Sequence, residues 1–225
     1  MYGKYFKRCL DFIVALFTMI LLSPFVFILT VLGAILLKGN PFYMQLRPGK
    51  NEKIFRLIKF RSMTMERDEN GELLPDEIRM TKYGHFIRAT SLDELPEFLN
   101  VLKGDMSLVG PRPQLVRDMV FMTQQQRKRH SVRPGLTGLA QVSGRNALLW
   151  EKKLELDLEY IQDISFAKDL RIVFRTVKII IFGGDGGSDE TEVTLDYGDY
   201  LLKKGRIDEA SYEEKQTEAK ELLHI

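Results

Sequence analysis

Residues 12–37 run for 26 positions without a charge, bracketed by Asp11 and Lys38. As one straight helix this stretch reaches roughly 39 Å, enough to cross a ~30 Å hydrocarbon core. No polar face recurs at helical spacing, so a soluble core helix is a poor fit. The run is too long for a cleaved signal peptide, and no small-x-small site follows it. A chain that opens this way is a membrane protein, either spanning the bilayer or entered into it.

Two features favour entry over a span. Ser23-Pro24 sits near the middle, and a proline removes a backbone donor and kinks a helix. The halves on either side, about 18 Å and 21 Å long, are each too short to cross alone. Lys4, Lys7 and Arg8 precede the run, and Lys38, Arg47, Lys50, Lys53 and Arg56 follow it. Positive residues mark the cytoplasmic side, and here both ends carry the mark. A helix that enters, breaks at Ser23-Pro24 and returns to the same face satisfies both.

Charge is segregated along the rest of the chain. The 225 residues carry a net +2, yet residues 184–225 alone hold twelve acidic and five basic side chains. That leaves −7 on the tail and +9 on the remainder. A net-positive body suits an anionic membrane surface or a phosphorylated substrate. Nucleic acid is a poorer fit, since no binding module is recognisable and a membrane segment opens the chain, and none is expected as a partner. The tail opens with Gly183-Gly184-Asp185-Gly186-Gly187-Ser188, a linker composition, and continues into helix-forming residues 208–223, so it reads as an appendage outside the catalytic body. One cysteine, Cys9, rules out an internal disulfide framework, and His85, His130 and His224 are too far apart for a zinc spacing.

Residues 51–61 alternate partly and read as a strand. Residues 65–78, with an Asn70-Gly71 turn, read as a loop. Residues 149–161 form an amphipathic helix in which Asp157 is by default a solvated charge. In residues 171–182, Arg171, Arg175 and Lys178 fall at helical spacing against an apolar remainder. That segment is either a core helix or one lying in the membrane interface.

The chemistry concentrates at Ser91-Leu92-Asp93-Glu94-Leu95-Pro96. Leu95, Phe98, Leu99 and Leu102 make an apolar stripe, and Pro96 belongs in the first helical turn, which puts Asp93 and Glu94 at the helix N-terminus. The plain reading is a cap and a dipole-favourable charge, with Ser91 and Glu94 at capping-box spacing. The functional reading uses the same field: carboxylates stay ionised there, an aspartate can act as nucleophile, and a glutamate can hold magnesium. Gly110-Pro111-Arg112-Pro113 mounts one arginine between two prolines, either as a turn or as a stiff guanidinium fork for phosphate.

Together the motifs are recognisable. Ser23-Pro24, Arg47-Pro48-Gly49, Lys59-Phe60-Arg61-Ser62-Met63, Ser91 to Pro96, Asn100-Val101-Leu102-Lys103-Gly104-Asp105, Gly110 to Pro113, Arg133-Pro134-Gly135-Leu136-Thr137-Gly138 and Gly144-Arg145-Asn146 follow one another in order. In this the chain resembles the small monotopic phosphoglycosyl transferases of the bacterial sugar transferase family, close to the bacillosamine-phosphate type. The resemblance implies a mainly helical α+β fold. A re-entrant helix-break-helix would occupy residues 1–38, a membrane-associated catalytic domain with amphipathic interfacial helices residues 39–183, and the acidic appendage residues 184–225. It implies transfer of a sugar-1-phosphate from a UDP-sugar to polyprenol phosphate, with release of UMP, on the cytoplasmic face of the bacterial inner membrane. Asp93 is the expected nucleophile and Glu94 the expected Mg2+ ligand. Arg112, Lys59, Arg88 and Arg145 are expected at substrate phosphates, with Asp157 in support. The phospholipid bilayer is an expected partner, and a homodimer stays open. A membrane-docked scaffold without chemistry is the alternative of another class, and it has no use for the ordered acidic and arginine motifs.

Overall fold

The computed structural model describes residues 2–144, 148–182 and 195–223. It is a mainly helical α+β structure that divides into two compact units. One comprises Cys9–Gln45 and Arg56–Gly104, the other Met1–Arg8, Leu46–Phe55 and Asp105–Ile225. We call them the helix unit and the loop unit.

Most of α1 (Lys7–Leu36), from Cys9 onward, lies in the helix unit, and α1 is long and apolar enough by composition to cross a membrane. Pro24 lies within it. Proline has no N–H to offer the carbonyl four residues back, here that of Ile20. The Ser23 hydroxyl donates to that same Ile20 carbonyl at 2.8 Å. The Ser-Pro pair thus carries its own repair, which matters where no water can supply a donor. Phe17, Ile20, Leu21, Phe27 and Ile35 are exposed along α1, whereas Leu29 and Leu37 are buried.

The strands β1 (Phe42–Pro48) and β2 (Ile54–Phe60) pair across a tight turn in which Asn51 and Glu52 adopt positive φ. A short α2 (Asp76–Arg79) ends the loop that follows. The Asn70-Gly71 turn forms as expected, with the Asn70 N–H donating to the Asp68 carboxylate at 2.9 Å and Gly71 at φ 82°. Next come α3 (Lys82–Ala89), capped by the Thr81 hydroxyl, and α4 (Glu97–Lys103). Leu29 of α1 and Leu37, just after it, pack with Phe60, Tyr83 and Ile87 in one core, with Leu92 and Leu95 against it. The Tyr83 hydroxyl donates to the Leu29 carbonyl at 3.0 Å.

The loop unit is built on two short parallel strands, β3 (Ser107–Val109) and β4 (Gly135–Thr137), paired Ser107 to Gly135 and Val109 to Thr137. Their approach is very close. A Cβ on Gly135 would lie 2.1 Å from the Gly110 nitrogen, and one on Gly138 would lie 2.2 Å from the Gly110 oxygen. Glycine at these positions is therefore a packing requirement, and it welds two of the sequence motifs together.

Between the strands lie α5 (Val116–Met119) and α6 (Gln124–Arg127). After them come α7 (Leu139–Gly144), α8 (Trp150–Gln162) and α9 (Phe166–Phe182). Of α9 only Asp169 and Ile172 are buried, while Phe174, Ile180, Ile181 and Phe182 stand exposed, so it is no core helix. At its start the Asp169 carboxylate accepts from Tyr2, Lys7 and Tyr160.

The C-terminal residues differ from the separate appendage read from composition. The helices α10 (Tyr197–Lys203) and α11 (Glu209–Leu223) share cores with the loop unit. Tyr197, Tyr200 and Leu201 pack with Trp150, Leu154 and Met122, and Ala219 packs with Val116, Met119 and Val120. The Trp150 indole donates to the Leu195 carbonyl at 2.9 Å. A net acidic charge and a Gly-rich lead-in described the outside of this segment; its aromatic residues decide where it goes. The Gly183–Ser188 linker itself lies outside the described residues.

Candidate functional site

The acidic motif folds within the helix unit as a 3-10 turn, Leu92–Glu94, that runs into α4. Ser91 enters it at φ 57°, in the left-handed region, and its side chain makes no cap. The capping-box spacing of Ser91 and Glu94 is therefore not used. A serine in left-handed backbone cannot aim its hydroxyl along the helix start as an extended N-cap does. Asp93 and Glu94 sit one turn ahead of α4, both partly exposed.

Lys59, at the end of β2, reaches this turn. Its ammonium lies 2.8 Å from Glu94 Oε1 and 3.1 Å from Glu97 Oε1. Glu97 is 2% exposed, a buried carboxylate held beside a lysine, and no sequence signal had singled it out. The register of Lys59 is set by Asn100 of α4, fully buried. Its side-chain oxygen accepts from the Ile58 N–H at 3.0 Å, and its amide donates to the Arg56 carbonyl at 2.7 Å. Two motifs far apart in sequence are thus tied at the backbone. Arg88, from α3, donates to the Ser62 hydroxyl at 2.8 Å. Ser62 also meets α3 at Gly84, where a Cβ would lie 1.9 Å from the Ser62 carbonyl.

The loop unit carries the proline-flanked arginine. Pro111 and Pro113 are buried, and Arg112 is partly exposed. Both neighbouring carbonyls are gripped. Arg129 donates to the Arg112 carbonyl at 2.6 Å, and Arg47 donates to that of Pro113 at 3.0 Å. Arg129 also places its Nε and Nη2 on Asp157 Oδ2 at 2.9 and 2.6 Å.

Asp157 is therefore not the solvated charge its helix suggested. Its side chain is 4% exposed because it faces inward from α8 onto Arg129. Burial raises its pKa, and the guanidinium beside it opposes that rise. Arg129, itself 2% exposed, was missed because an arginine in the basic run 127–129 reads as surface. His130 lies against Arg129 and Glu52. Burial and the neighbouring Arg129 push its pKa down to about 4, so the 3.5 Å approach to Glu52 is that of a neutral ring.

Lys59 and Glu94 are thus brought together, Arg88 is held at Ser62, and Asp157 serves the backbone of Arg112. Arg145 lies outside the described residues. Among the described residues no group of three or more His, Cys, Asp or Glu is assembled to hold a metal by itself.

The family described as bacterial sugar transferase matches residues 2–183. The chain belongs to it. The transferase is 51% identical over 177 residues to the uncharacterized sugar transferase EpsL of Bacillus subtilis (strain 168), covering 78% of this chain and 87% of EpsL. It is 43% identical over 182 residues to the UDP-glucose:undecaprenyl-phosphate glucose-1-phosphate transferase of Klebsiella pneumoniae, covering 76% of this chain and 39% of that protein. Similarity to the UDP-N-acetylgalactosamine-undecaprenyl-phosphate N-acetylgalactosaminephosphotransferase of Aeromonas hydrophila is 38% over 190 residues, or 80% of this chain and 44% of the relative. The chain thus spans nearly all of EpsL but less than half the length of these two relatives, whose names specify a sugar. The family match ends at residue 183, ahead of the two helices that complete the loop unit's core.

Proposed function

We propose that this sugar transferase moves a sugar-1-phosphate from a UDP-sugar to polyprenol phosphate through a covalent intermediate on Asp93. The observation that carries the reading is the acidic turn, in which Lys59 pairs with Glu94 and Glu97 and Asp93 stands next to Glu94 in the 3-10 entry to α4. A carboxylate oxygen of Asp93 attacks the β-phosphorus. The Asp–O–P bond forms as the bond from that phosphorus to the bridging oxygen breaks, and UMP departs with the electron pair. A phosphate oxygen of polyprenol phosphate then attacks the same phosphorus, displaces Asp93 and leaves with the sugar phosphate as a diphosphate. Arg112 offsets charge on the phosphate oxygens.

Magnesium fits this donor set, because it is commonly held by one or two carboxylates together with substrate phosphates rather than by a protein cage. Glu94, with Asp93 beside it, would hold the ion, which would neutralise phosphate charge when bound.

We further propose that α1 is re-entrant and docks the enzyme on the cytoplasmic leaflet of the bacterial inner membrane. Support comes from Pro24 near the middle of the uncharged run, with each half too short to cross alone, and from the positive residues on both of its flanks. The exposed apolar residues of α9, with Arg171, Arg175 and Lys178 among them, support an interfacial role.

Ping-pong kinetics and a trapped phosphosugar adduct on Asp93 are expected. Asp93→Asn turning over at near the wild-type rate would exclude the nucleophile. Cysteines placed at Tyr2 and Asn51 in a Cys9→Ser background should label from the same face of inverted vesicles; labelling from opposite faces would exclude re-entry. The sugar is to be read from UMP release across UDP-glucose, UDP-galactose, UDP-N-acetylgalactosamine and UDP-diacetylbacillosamine. The last is included because Ala147-Leu148-Leu149-Trp150-Glu151-Lys152-Lys153 resembles the bacillosamine-type enzymes.

A further inference from the structure

Arg129 and Asp157 form a buried ion pair against the backbone of the Arg112 motif. Taking two charges out of water is expensive, and apolar residues of similar volume commonly serve stability as well or better. Stability alone is therefore a poor reason for this pair. Its geometry offers another. The two Nη2 hydrogens have two acceptors at 2.6 Å, Asp157 Oδ2 and the Arg112 carbonyl, while Nε–H adds a second bond to Asp157 at 2.9 Å. The planar fork is thereby locked on one side and delivers the second Nη2 hydrogen to one backbone oxygen. That oxygen belongs to the single residue of Gly110-Pro111-Arg112-Pro113 whose side chain is not buried by the motif. With Pro111 and Pro113 restricting φ on either side and Arg47 holding the next carbonyl, little freedom remains in the mount.

We infer that Arg129, oriented by Asp157, is a positioning residue that fixes the backbone of Arg112 so that the Arg112 guanidinium meets the diphosphate of a nucleoside-diphosphate substrate. This rests on the reading of Arg112 as a phosphate-binding group. Lysine cannot replace Arg129, since a point ammonium cannot hold Asp157 through two nitrogens and reach the carbonyl in a fixed plane. Arg129 touches no substrate in this scheme and acts only through Arg112.

A double-mutant cycle tests it, with UDP as the probe and calorimetric Kd as the readout on the full-length protein in nanodiscs. Arg129→Met combined with Asp157→Leu replaces the buried pair by apolar bulk. It should weaken UDP binding about tenfold, the scale of a small misplacement of a binding group, with little change in melting temperature. Arg112→Ala should also weaken binding. The three changes together should be no worse than Arg112→Ala alone, because the pair acts only through that side chain. Losses that multiply, or a pair variant that binds UDP like the wild type, would overturn the inference. Should the pair variant fail to fold, Asp157→Asn, which keeps the shape and removes the orienting charge, enters the same cycle with the same criteria. UMP release from UDP-sugars by the unmodified protein reports separately on the proposed reaction. A wild type that binds UDP and shows an additive cycle defeats only the positioning role; one that neither binds UDP nor releases UMP defeats the reaction and the inference with it.

Discussion

Acidification from pH 7 to pH 5 should destabilise the loop unit through one residue, His130. The ring is 6% exposed and faces Arg129, Arg127 and Glu52. Burial and Arg129 lower its pKa from 6.5 to about 4, with Glu52 pulling the other way. The folded pKa lies below the unfolded one, so between the two the unfolded chain binds the extra proton and stability falls as pH falls. Integrating that difference between pH 7 and pH 5 gives a loss of about 2 kcal/mol. Glu52 has a lowered pKa, so its own contribution is lost only as pH drops below the ordinary carboxylate value, under the chosen window. Asp118 and Asp157 have raised values and act in the opposite sense, which makes a reference variant necessary. His130→Gln cannot titrate and retains those other groups, so the difference between wild type and variant isolates the ring.

The chain has one tryptophan, Trp150, buried beside Tyr197 in the same unit. Its fluorescence during urea unfolding in detergent therefore reports on the unit that holds His130. The wild-type midpoint should fall between pH 7 and pH 5 by the equivalent of about 2 kcal/mol more than that of His130→Gln. Equal pH dependence in the two proteins would refute the assignment of a neutral buried ring.

Three further outcomes follow from the packing. Lys59→Met should cost about 3 kcal/mol, because it removes the ammonium beside the buried Glu97 carboxylate, and adding Glu97→Gln should restore most of the melting temperature; no recovery would show that Glu97 is not the cause. Asn100→Leu leaves the Ile58 N–H and the Arg56 carbonyl without their partner and should cost about 2–5 kcal/mol, with loss of UMP release exceeding what the fraction unfolded explains, since the register of Lys59 goes with it. Deleting residues 195–223 should lower the melting temperature of the loop unit and red-shift Trp150, whereas a separable appendage could be removed with neither change.

Much of the site was legible because its chemistry depends on residue type and order. Asp93-Glu94 ahead of an apolar helical stripe, and an arginine between two prolines, announce themselves in a linear reading. Glu97 and Arg129 did not, and Asn100, which opens one of the ordered motifs, gave no sign of what it holds. A glutamate in the first turn of a helix, an arginine in a basic run and an asparagine in an amphipathic segment all have solvated explanations. Only the partner brought in from another part of the chain removes them. Asp157 shows the same limit from the other side: its amphipathic helix suggests a solvated charge, and only Arg129, from another part of the chain, makes it a buried one.

Sequence alone determined the membrane-bound start of the chain, the order of its motifs and therefore its family. Uncharged length, proline position and residue chemistry are local properties that need no partner. The tertiary structure decided which polar groups are buried and what they hold: Lys59 on Glu94 and Glu97, Asn100 on the β2 backbone, Arg129 and Asp157 on the carbonyl of Arg112. It also decided that an acidic tail belongs to a core, through the packing of Tyr197, Tyr200 and Ala219 on surfaces contributed by residues 116–154. Burial and long-range hydrogen bonds arise from pairs of segments, and a pair has no signature in either segment read by itself.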